Sequence, residues 1–104
     1  MTDPTLRRRL TGVFTALVTP FRGGAVDVPA LEQLIEAQIA AGIAGLVPVG
    51  TTGEAATLSD DEAEAVIRTT VQAAAGRAFV MAGAGSNATR LAIAKAERAK
   101  AAGA

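Results

Sequence analysis

The sequence contains no cysteine, histidine, tryptophan or tyrosine, and its aromatic residues are three phenylalanines. Without cysteine and histidine the chain has no disulfides, thiol nucleophiles, imidazole bases or usual zinc ligands. Any catalysis must therefore come from threonine, serine, lysine, arginine or carboxylate side chains. We expect neither a metal site nor a cofactor.

The sequence also lacks an excess of either charge, with 10 Lys plus Arg against 10 Asp plus Glu in 104 residues. This balance gives no attraction to nucleic acid or to an anionic membrane, so the expected partners are small molecules or other protein chains. No apolar run approaches the roughly 20 residues of a membrane-spanning helix. The hydrophobic fraction of 50% is enough for the core of one small domain.

The N-terminus imitates a secretory signal, because Arg7, Arg8 and Arg9 precede an apolar stretch. Threonines and a glycine interrupt that stretch, Thr19-Pro20 ends it, and no small-residue cleavage site follows. We therefore interpret residues 1–10 as a loose, solvated basic tail. Residues 11–104 are interpreted as the domain.

Strands and helices are predicted to alternate along residues 11–104. The predicted strands are 12–18, 44–49 and 78–82, with a loop at 19–24. The predicted helices run from Asp27 to Gly42, from a Ser59/Glu62 capping box to Gly76, and from near Asn87 to the end. Three βα units of roughly 30 residues each indicate an α/β fold with a parallel sheet.

A parallel sheet of three strands leaves both edges and one face uncovered. A (β/α)₈ TIM barrel takes about 250 residues, so we interpret the chain as the first three of its eight units, truncated where the fourth strand should start. In isolation such a chain is expected to be aggregation-prone or molten.

The loop between the second strand and second helix reads Gly50-Thr51-Thr52-Gly53-Glu54. Loops at the carboxyl ends of parallel strands carry the active sites of α/β folds. Taken alone, the two threonines could equally be turn residues whose hydroxyls cap the backbone.

Three stretches in register at the ends of successive strands resemble the dihydrodipicolinate synthases. They are residues 11–21, residues 50–58 and residues 82–89. The resemblance implies a class I aldolase-like lyase of lysine and diaminopimelate biosynthesis. Such an enzyme condenses pyruvate with aspartate semialdehyde, is cytoplasmic, and forms a homotetramer when full length.

The resemblance also implies roles for individual residues. Pyruvate is held as a Schiff base on a strand lysine while its carboxylate lies against the N–H groups of Thr51 and Thr52 and the Thr52 hydroxyl. Thr51 matches a threonine that relays a proton between two tyrosines, because a hydroxyl can accept one proton while it donates another. Ala16 matches a small residue near the substrate, and Glu54 is interpreted as an anchor of the loop.

The catalytic lysine and tyrosines of the family lie beyond Ala104, so the chain alone is not expected to be active. Lys95 and Lys100 fall on a predicted helix, whereas an imine-forming lysine should project from a strand into a dry pocket. At positions that bind inhibitory lysine in the family, the sequence has Ala55, Asp60, Ala63 and Leu91. Only Asn87 matches there, and a helix cap explains it as well. Lysine feedback therefore has little support.

Three alternatives remain open. One is another pyruvate aldolase of the superfamily, such as N-acetylneuraminate lyase, although those enzymes tend to have serine where this chain has Thr51. The second is a dinucleotide or phosphate binder, since residues 83–88 fit G-x-G-x-x-A. That motif belongs in a first βα unit with an acidic residue about 20 positions later, and neither condition is met. The third is a non-catalytic fragment that binds another chain or a chaperone.

Overall fold

The computed structural model describes residues 3–104 as a layer of strands covered on one side by helices. In chain order the elements are α1 (Pro4–Arg9), β1 (Phe14–Ala16), β2 (Phe21–Arg22), β3 (Ala25–Val26), α2 (Val28–Ala40), β4 (Gly45–Val47), a 3₁₀ helix (Ala55–Thr57), α3 (Asp60–Ala74), β5 (Phe79–Val80) and α4 (Thr89–Ala101).

The main sheet has the order β1-β4-β5, and both pairs of strands are parallel. Leu46 lies opposite Thr15 on one side and Val80 on the other. A helix follows each of these strands, so the predicted three βα units are confirmed. Pro48, which cannot donate a hydrogen bond to a ladder, lies directly after β4, so the strand ends earlier than the predicted 44–49.

The core lies between the sheet and the helices. On β1 the hydroxyl of Thr15 donates to the side-chain oxygen of Gln38 on α2 at 2.8 Å. Thr15 therefore points to the helical layer, and so does every second residue along the strand. The buried apolar side chains include members of every layer: Leu17, Leu31, Ile35, Leu46, Val66 and Ile67. The buried residues of α2 and α3 recur mostly three or four positions apart, as expected for one face of a helix: Leu31 and Ile35 on α2, and Val66, Ile67, Thr70 and Ala74 on α3.

The opposite face of the sheet carries apolar side chains, and Arg9 at the end of α1 lies over one of them, the ring of Phe79. Phe14 and Phe79 meet there with their ring centroids 6.0 Å apart. They flank Gly45, where any β-carbon would overlap the Phe14 ring. Just beyond the ends of β1 and β5, Val18 and Met81 are 52% and 44% exposed. This apolar surface, called the open face below, also includes Ala16.

The helix ends follow the predicted local signals. The Ser59 hydroxyl accepts from the Glu62 N–H at 3.1 Å, and the Glu62 carboxylate accepts from the Ser59 N–H at 2.8 Å. This is the expected capping box at the start of α3. Gly42 and Gly76 follow α2 and α3 with φ of 90° and 78°, the left-handed conformation typical of helix ends.

Three local predictions were wrong. Residues 4–9 are not a loose tail but form α1, whose last residue, Arg9, lies with its guanidinium 4.9 Å from the centroid of the Phe79 ring. The predicted loop at 19–24 contains most of a hairpin, β2 paired with β3, because Gly23 and Gly24 both adopt the positive φ of a tight turn. Asn87 does not cap α4, which starts after Ala88 without a side-chain cap.

Candidate substrate-binding loop

The Gly50–Glu54 loop begins three residues after the end of β4, at the carboxyl edge of the sheet. It is folded by two consecutive turns, in which the N–H of Gly53 donates to the carbonyl of Gly50 and the N–H of Glu54 donates to that of Thr51, both at 3.0 Å. The carbonyl of Gly50 accepts a second bond from the N–H of Ala55 at 3.3 Å. The carbonyls of Gly50 and Thr51 are therefore directed into the loop's own turns.

The backbone is strained on both sides of this loop. Val49, which is β-branched and buried, has φ of 60°, and Glu54 has φ of 62°. A non-glycine residue in such a conformation costs about 1–3 kcal/mol and persists only where its surroundings enforce it. Strain of this kind concentrates at functional sites, which supports the prediction that this loop carries function.

The N–H groups of Thr51 and Thr52 are left unused by this folding. Within residues 3–104, neither group donates to a backbone carbonyl or to a side chain, and both residues are exposed. Two consecutive free N–H groups form a partial positive charge that suits an anion. The loop therefore has the donors that the sequence-based hypothesis requires.

The loop is fixed from below by buried groups. The carbonyl of Gly53 accepts a hydrogen bond from the hydroxyl of Thr19, which lies beyond β1, at 2.8 Å. A β-carbon on Gly53 would lie 2.9 Å from the carbonyl oxygen of Leu17, so only glycine fits here. Glu54, predicted as an anchor, contributes through its backbone, because its carbonyl accepts from the N–H of Thr57 at 3.1 Å.

Ala16 is the last residue of β1 and lies opposite Val47, the last residue of β4. Because β1 and β4 are parallel neighbours, their carboxyl ends bring Ala16 and the Gly50–Glu54 loop to the same edge of the sheet. Ala16 is exposed on the open face. Its role beside a substrate stays a prediction.

An open groove of about 690 Å³ lies on the helical side of the loop, between α3 and α4. Thr51 lines it, whereas Thr52 and Ala16 are not among the lining residues that the structure describes. Four of the five positions considered for inhibitory lysine line this groove, namely Ala55, Asp60, Ala63 and Asn87, and Leu91 does not.

The two basic side chains of the groove both come from α4. Lys95 is half-buried, and Arg98 lies 3.1 Å from the carboxylate of Asp61 and 3.3 Å from that of Glu64. The hydrogen bond to Asp61, with the neighbouring carboxylates, raises the pKa of Arg98 above its usual value. Lys95 and Lys100 lie on a helix, as predicted.

Residues 3–104 contain neither a candidate membrane-spanning helix nor a candidate metal-binding cluster. No helix there combines the length and the apolar character needed to cross a bilayer. No group of three or more acidic, cysteine or histidine side chains is placed to hold a metal ion.

Sequence comparison relates this chain to known proteins. The model of the dihydrodipicolinate synthetase family matches residues 9–104. Proteins named 4-hydroxy-tetrahydrodipicolinate synthase from Sorangium cellulosum and Nitratidesulfovibrio vulgaris are each 59% identical to it, over 97 and 96 residues. The alignments cover 91% and 92% of this chain but 32% and 33% of those proteins. The chain thus spans about a third of the length of the curated relatives it matches.

Solved structures give the same relationship. The crystal structure of dihydrodipicolinate synthase from Aquifex aeolicus is 46% identical and superposes with a TM-score of 0.86, over 89% of this chain and 32% of that one. The chloride-inhibited enzyme from Acinetobacter baumannii, determined in complex with pyruvate, is 45% identical with a TM-score of 0.86 over the same shares. The predicted fold, the first three βα units of a (β/α)₈ barrel, is thereby confirmed, and the chain belongs to the dihydrodipicolinate synthetase family.

Proposed function

We propose that this chain supplies the pyruvate-carboxylate site of a 4-hydroxy-tetrahydrodipicolinate synthase, a lyase that condenses pyruvate with aspartate semialdehyde. The observation that carries the proposal is the pair of unused N–H groups at Thr51 and Thr52, on a strained loop at the carboxyl edge of the sheet. Family membership and the names of the relatives supply the reaction.

A carboxylate has two oxygens, and two adjacent N–H groups can each donate to one of them. Hydrogen bonds to a charged acceptor are shorter and stronger than those between neutral groups. The hydroxyl of Thr52, which is exposed, supplies a third donor. Fixing the carboxylate in this way orients the ketone carbon of pyruvate toward a lysine that lies outside this sequence.

Thr51 acts as a proton relay in this proposal. Its hydroxyl accepts a proton from one neighbour while it donates its own to another, so the alcohol never needs to ionise. The chain contains no tyrosine, so the groups on both sides of the relay come from outside these 104 residues. The methyl group of Ala16, on the neighbouring strand, leaves room for the substrate.

The proposal extends to the whole enzyme. The lysine amine condenses with the ketone carbon of pyruvate and one water leaves, which gives the Schiff base that attacks the aldehyde. Both lysines of this chain lie on α4, away from the open face. We therefore expect the 104-residue chain to be inactive by itself, and the complete enzyme to be a cytoplasmic homotetramer.

A chimera tests the proposal. Residues 9–104 would replace the matching segment of the Sorangium cellulosum relative, and the unmodified relative is the control. After treatment with pyruvate and borohydride, the chimera should gain the mass of one pyruvate, less one water, plus two hydrogens. It should also consume pyruvate with aspartate semialdehyde within about tenfold of the control rate, since each 1.4 kcal/mol of lost stabilisation costs a factor of ten.

One result of this experiment would contradict the proposal. A chimera that has the control's size in solution and a cooperative thermal transition, but forms no imine with pyruvate, would contradict the proposed function. The same chimera is the starting protein for the variants described below.

A further inference from the structure

The side chain of Thr19 is buried beneath the Gly50–Glu54 loop. Only 4% of Thr19 is exposed, and its hydroxyl donates to the carbonyl of Gly53 at 2.8 Å. Thr19 lies beyond the end of β1, whereas Gly53 lies in the loop that follows β4. The hydrogen bond therefore joins the ends of two neighbouring parallel strands.

No other hydrogen bond connects this loop to a distant part of residues 3–104. The remaining bonds of Gly50, Thr51, Gly53 and Glu54 are made to one another or to Ala55 and Thr57. Those local bonds determine how the loop is folded. They do not determine where the folded loop lies relative to β1 and Ala16.

We propose that Thr19 is a positioning residue for the pyruvate site and acts through Gly53. The inference rests on the proposed function, because it assigns to Thr19 the placement of the N–H groups that hold the carboxylate. Thr19 itself touches no substrate. Its hydroxyl sets the position of the peptide group of Gly53, one residue beyond the Thr51-Thr52 pair.

The physical reason is the cost of an unpaired buried carbonyl. If residue 19 lacks a donor, the Gly53 carbonyl must find another partner or move toward water. Either change in the Gly53 carbonyl displaces the neighbouring N–H groups of Thr51 and Thr52. Since the carboxylate is bound alike in the ground state and the transition state, weaker binding raises KM for pyruvate and leaves kcat nearly unchanged.

The experiment compares four variants of the chimera. Thr19→Val keeps the shape and removes the donor, Thr19→Ser keeps the hydroxyl, and Thr19→Cys has a weak donor of similar size. The matched control is Thr57→Val, because the hydroxyl of Thr57 also donates to a carbonyl of this segment, that of Glu54 at 3.2 Å, but in an exposed position.

Thr19→Val should raise KM for pyruvate about tenfold, which corresponds to 1.4 kcal/mol of binding. Its kcat should stay within about threefold. Thr19→Ser and Thr57→Val should match the starting chimera, and Thr19→Cys should fall between Ser and Val. The Ser and Cys variants preserve the test if Thr19→Val does not fold.

Equal values of KM in the Ser, Cys and Val variants would overturn the inference. So would a loss confined to kcat, since a smaller amount of folded enzyme lowers the rate without changing KM. A starting chimera that forms no imine with pyruvate would instead contradict the proposed function, so the two failures are distinguishable.

Discussion

Gly83 lies directly against the backbone carbonyl of Val49. A β-carbon at position 83 would lie 2.7 Å from the carbonyl carbon of Val49, and the N–H of Gly83 donates to the carbonyl of Pro48 at 2.9 Å. The chain leaving β5 therefore supports the strained residue from which the Gly50–Glu54 loop starts. This contact places the stretch 82–89 against the residues that directly precede the stretch 50–58.

Substitution of Gly83 should disturb that loop. In Gly83→Ala the methyl group meets backbone atoms, which cannot rotate away, so the ends of β4 and β5 must separate. We expect the chimera to lose about 1–3 kcal/mol of stability, as in other overpacked sites. Its melting temperature and the yield of the borohydride-trapped imine should both fall.

Gly85→Ala is the matched control for this prediction, because a β-carbon there has no atom within 4 Å. That variant should stay within about 0.5 kcal/mol of the starting chimera. Equal melting temperatures for the Gly83 and Gly85 variants would show that the contact with Val49 can relax without cost.

Removal of the Thr51 hydroxyl should affect catalysis and leave binding intact. If the hydroxyl relays a proton, Thr51→Val should lower kcat of the chimera by roughly 10²-fold or more. Thr51→Ser keeps the hydroxyl and should remain within about tenfold. The variants should fold normally, because Thr51 is exposed in this chain. Steady-state kinetics check the prediction, and equal rates for the Val and Ser variants would refute a relay.

Removal of the Thr52 hydroxyl should weaken the binding of pyruvate and leave the catalytic step intact. Thr52→Val keeps the N–H group but loses the third donor to the carboxylate, and a hydrogen bond to a charged group is worth about 1.5–3 kcal/mol. We expect KM for pyruvate to rise at least tenfold with little change in kcat. A fall in kcat at constant KM would reassign Thr52 to the chemical step.

The features that could be predicted from sequence are those with local signals. The α2 face carrying Leu31, Leu34 and Ile35 follows from helical periodicity, and the start of α3 follows from the Ser59/Glu62 pair three positions apart. The sequence indicates the loop with Thr51 because glycines and hydroxyls follow an apolar run. Each signal lies within a few residues and is independent of the remainder of the chain.

The features that could not be predicted depend on contacts between distant residues. Nothing in the sequence around Thr19 indicates that its hydroxyl reaches Gly53, and nothing around Gly83 indicates the carbonyl of Val49. Only the fold brings these pairs together. The hairpin of β2 and β3 is different, because Gly23-Gly24 is a recognisable tight-turn signal inside the predicted loop at 19–24.

The ion pair between Arg77 and Glu36 gives a pH-dependent prediction. The guanidinium donates to both oxygens of the Glu36 carboxylate on α2 and to the carbonyls of Ala73 and Ala74 at the end of α3. The hydrogen bond from Arg77 lowers the pKa of Glu36 below its usual value. Because the pKa of Glu36 is lower in the folded state, the pair stabilises the fold at pH values above the ordinary glutamate pKa. This stabilisation is lost as the pH falls through the lowered pKa of Glu36.

Carbon NMR of the Glu36 carboxyl in the chimera should therefore show a titration midpoint below the ordinary glutamate value. Arg77→Met should raise that midpoint, whereas Arg90→Met, which alters an exposed cation on α4, should leave it unchanged. Both partners of the pair are about half exposed, so the accompanying change in melting temperature should be small. An unaltered midpoint in Arg77→Met would mean that the pair does not persist in solution.

The isolated 104-residue chain should behave differently from the chimera. Within residues 3–104 its sheet has two unpaired edges, β1 and β5, and on one face of the sheet Val18 and Met81 are about half exposed. Unpaired strand edges and exposed apolar surface favour association, and poorly fixed packing favours a molten state. We expect broad thermal unfolding by far-ultraviolet circular dichroism, binding of a hydrophobic dye, and multiple species by size-exclusion chromatography.

The chimera, in which the remaining barrel covers that surface, is the control and should unfold sharply. A monodisperse monomer of the isolated chain with a sharp, cooperative transition would show that three βα units of this sequence are stable without the rest of a barrel.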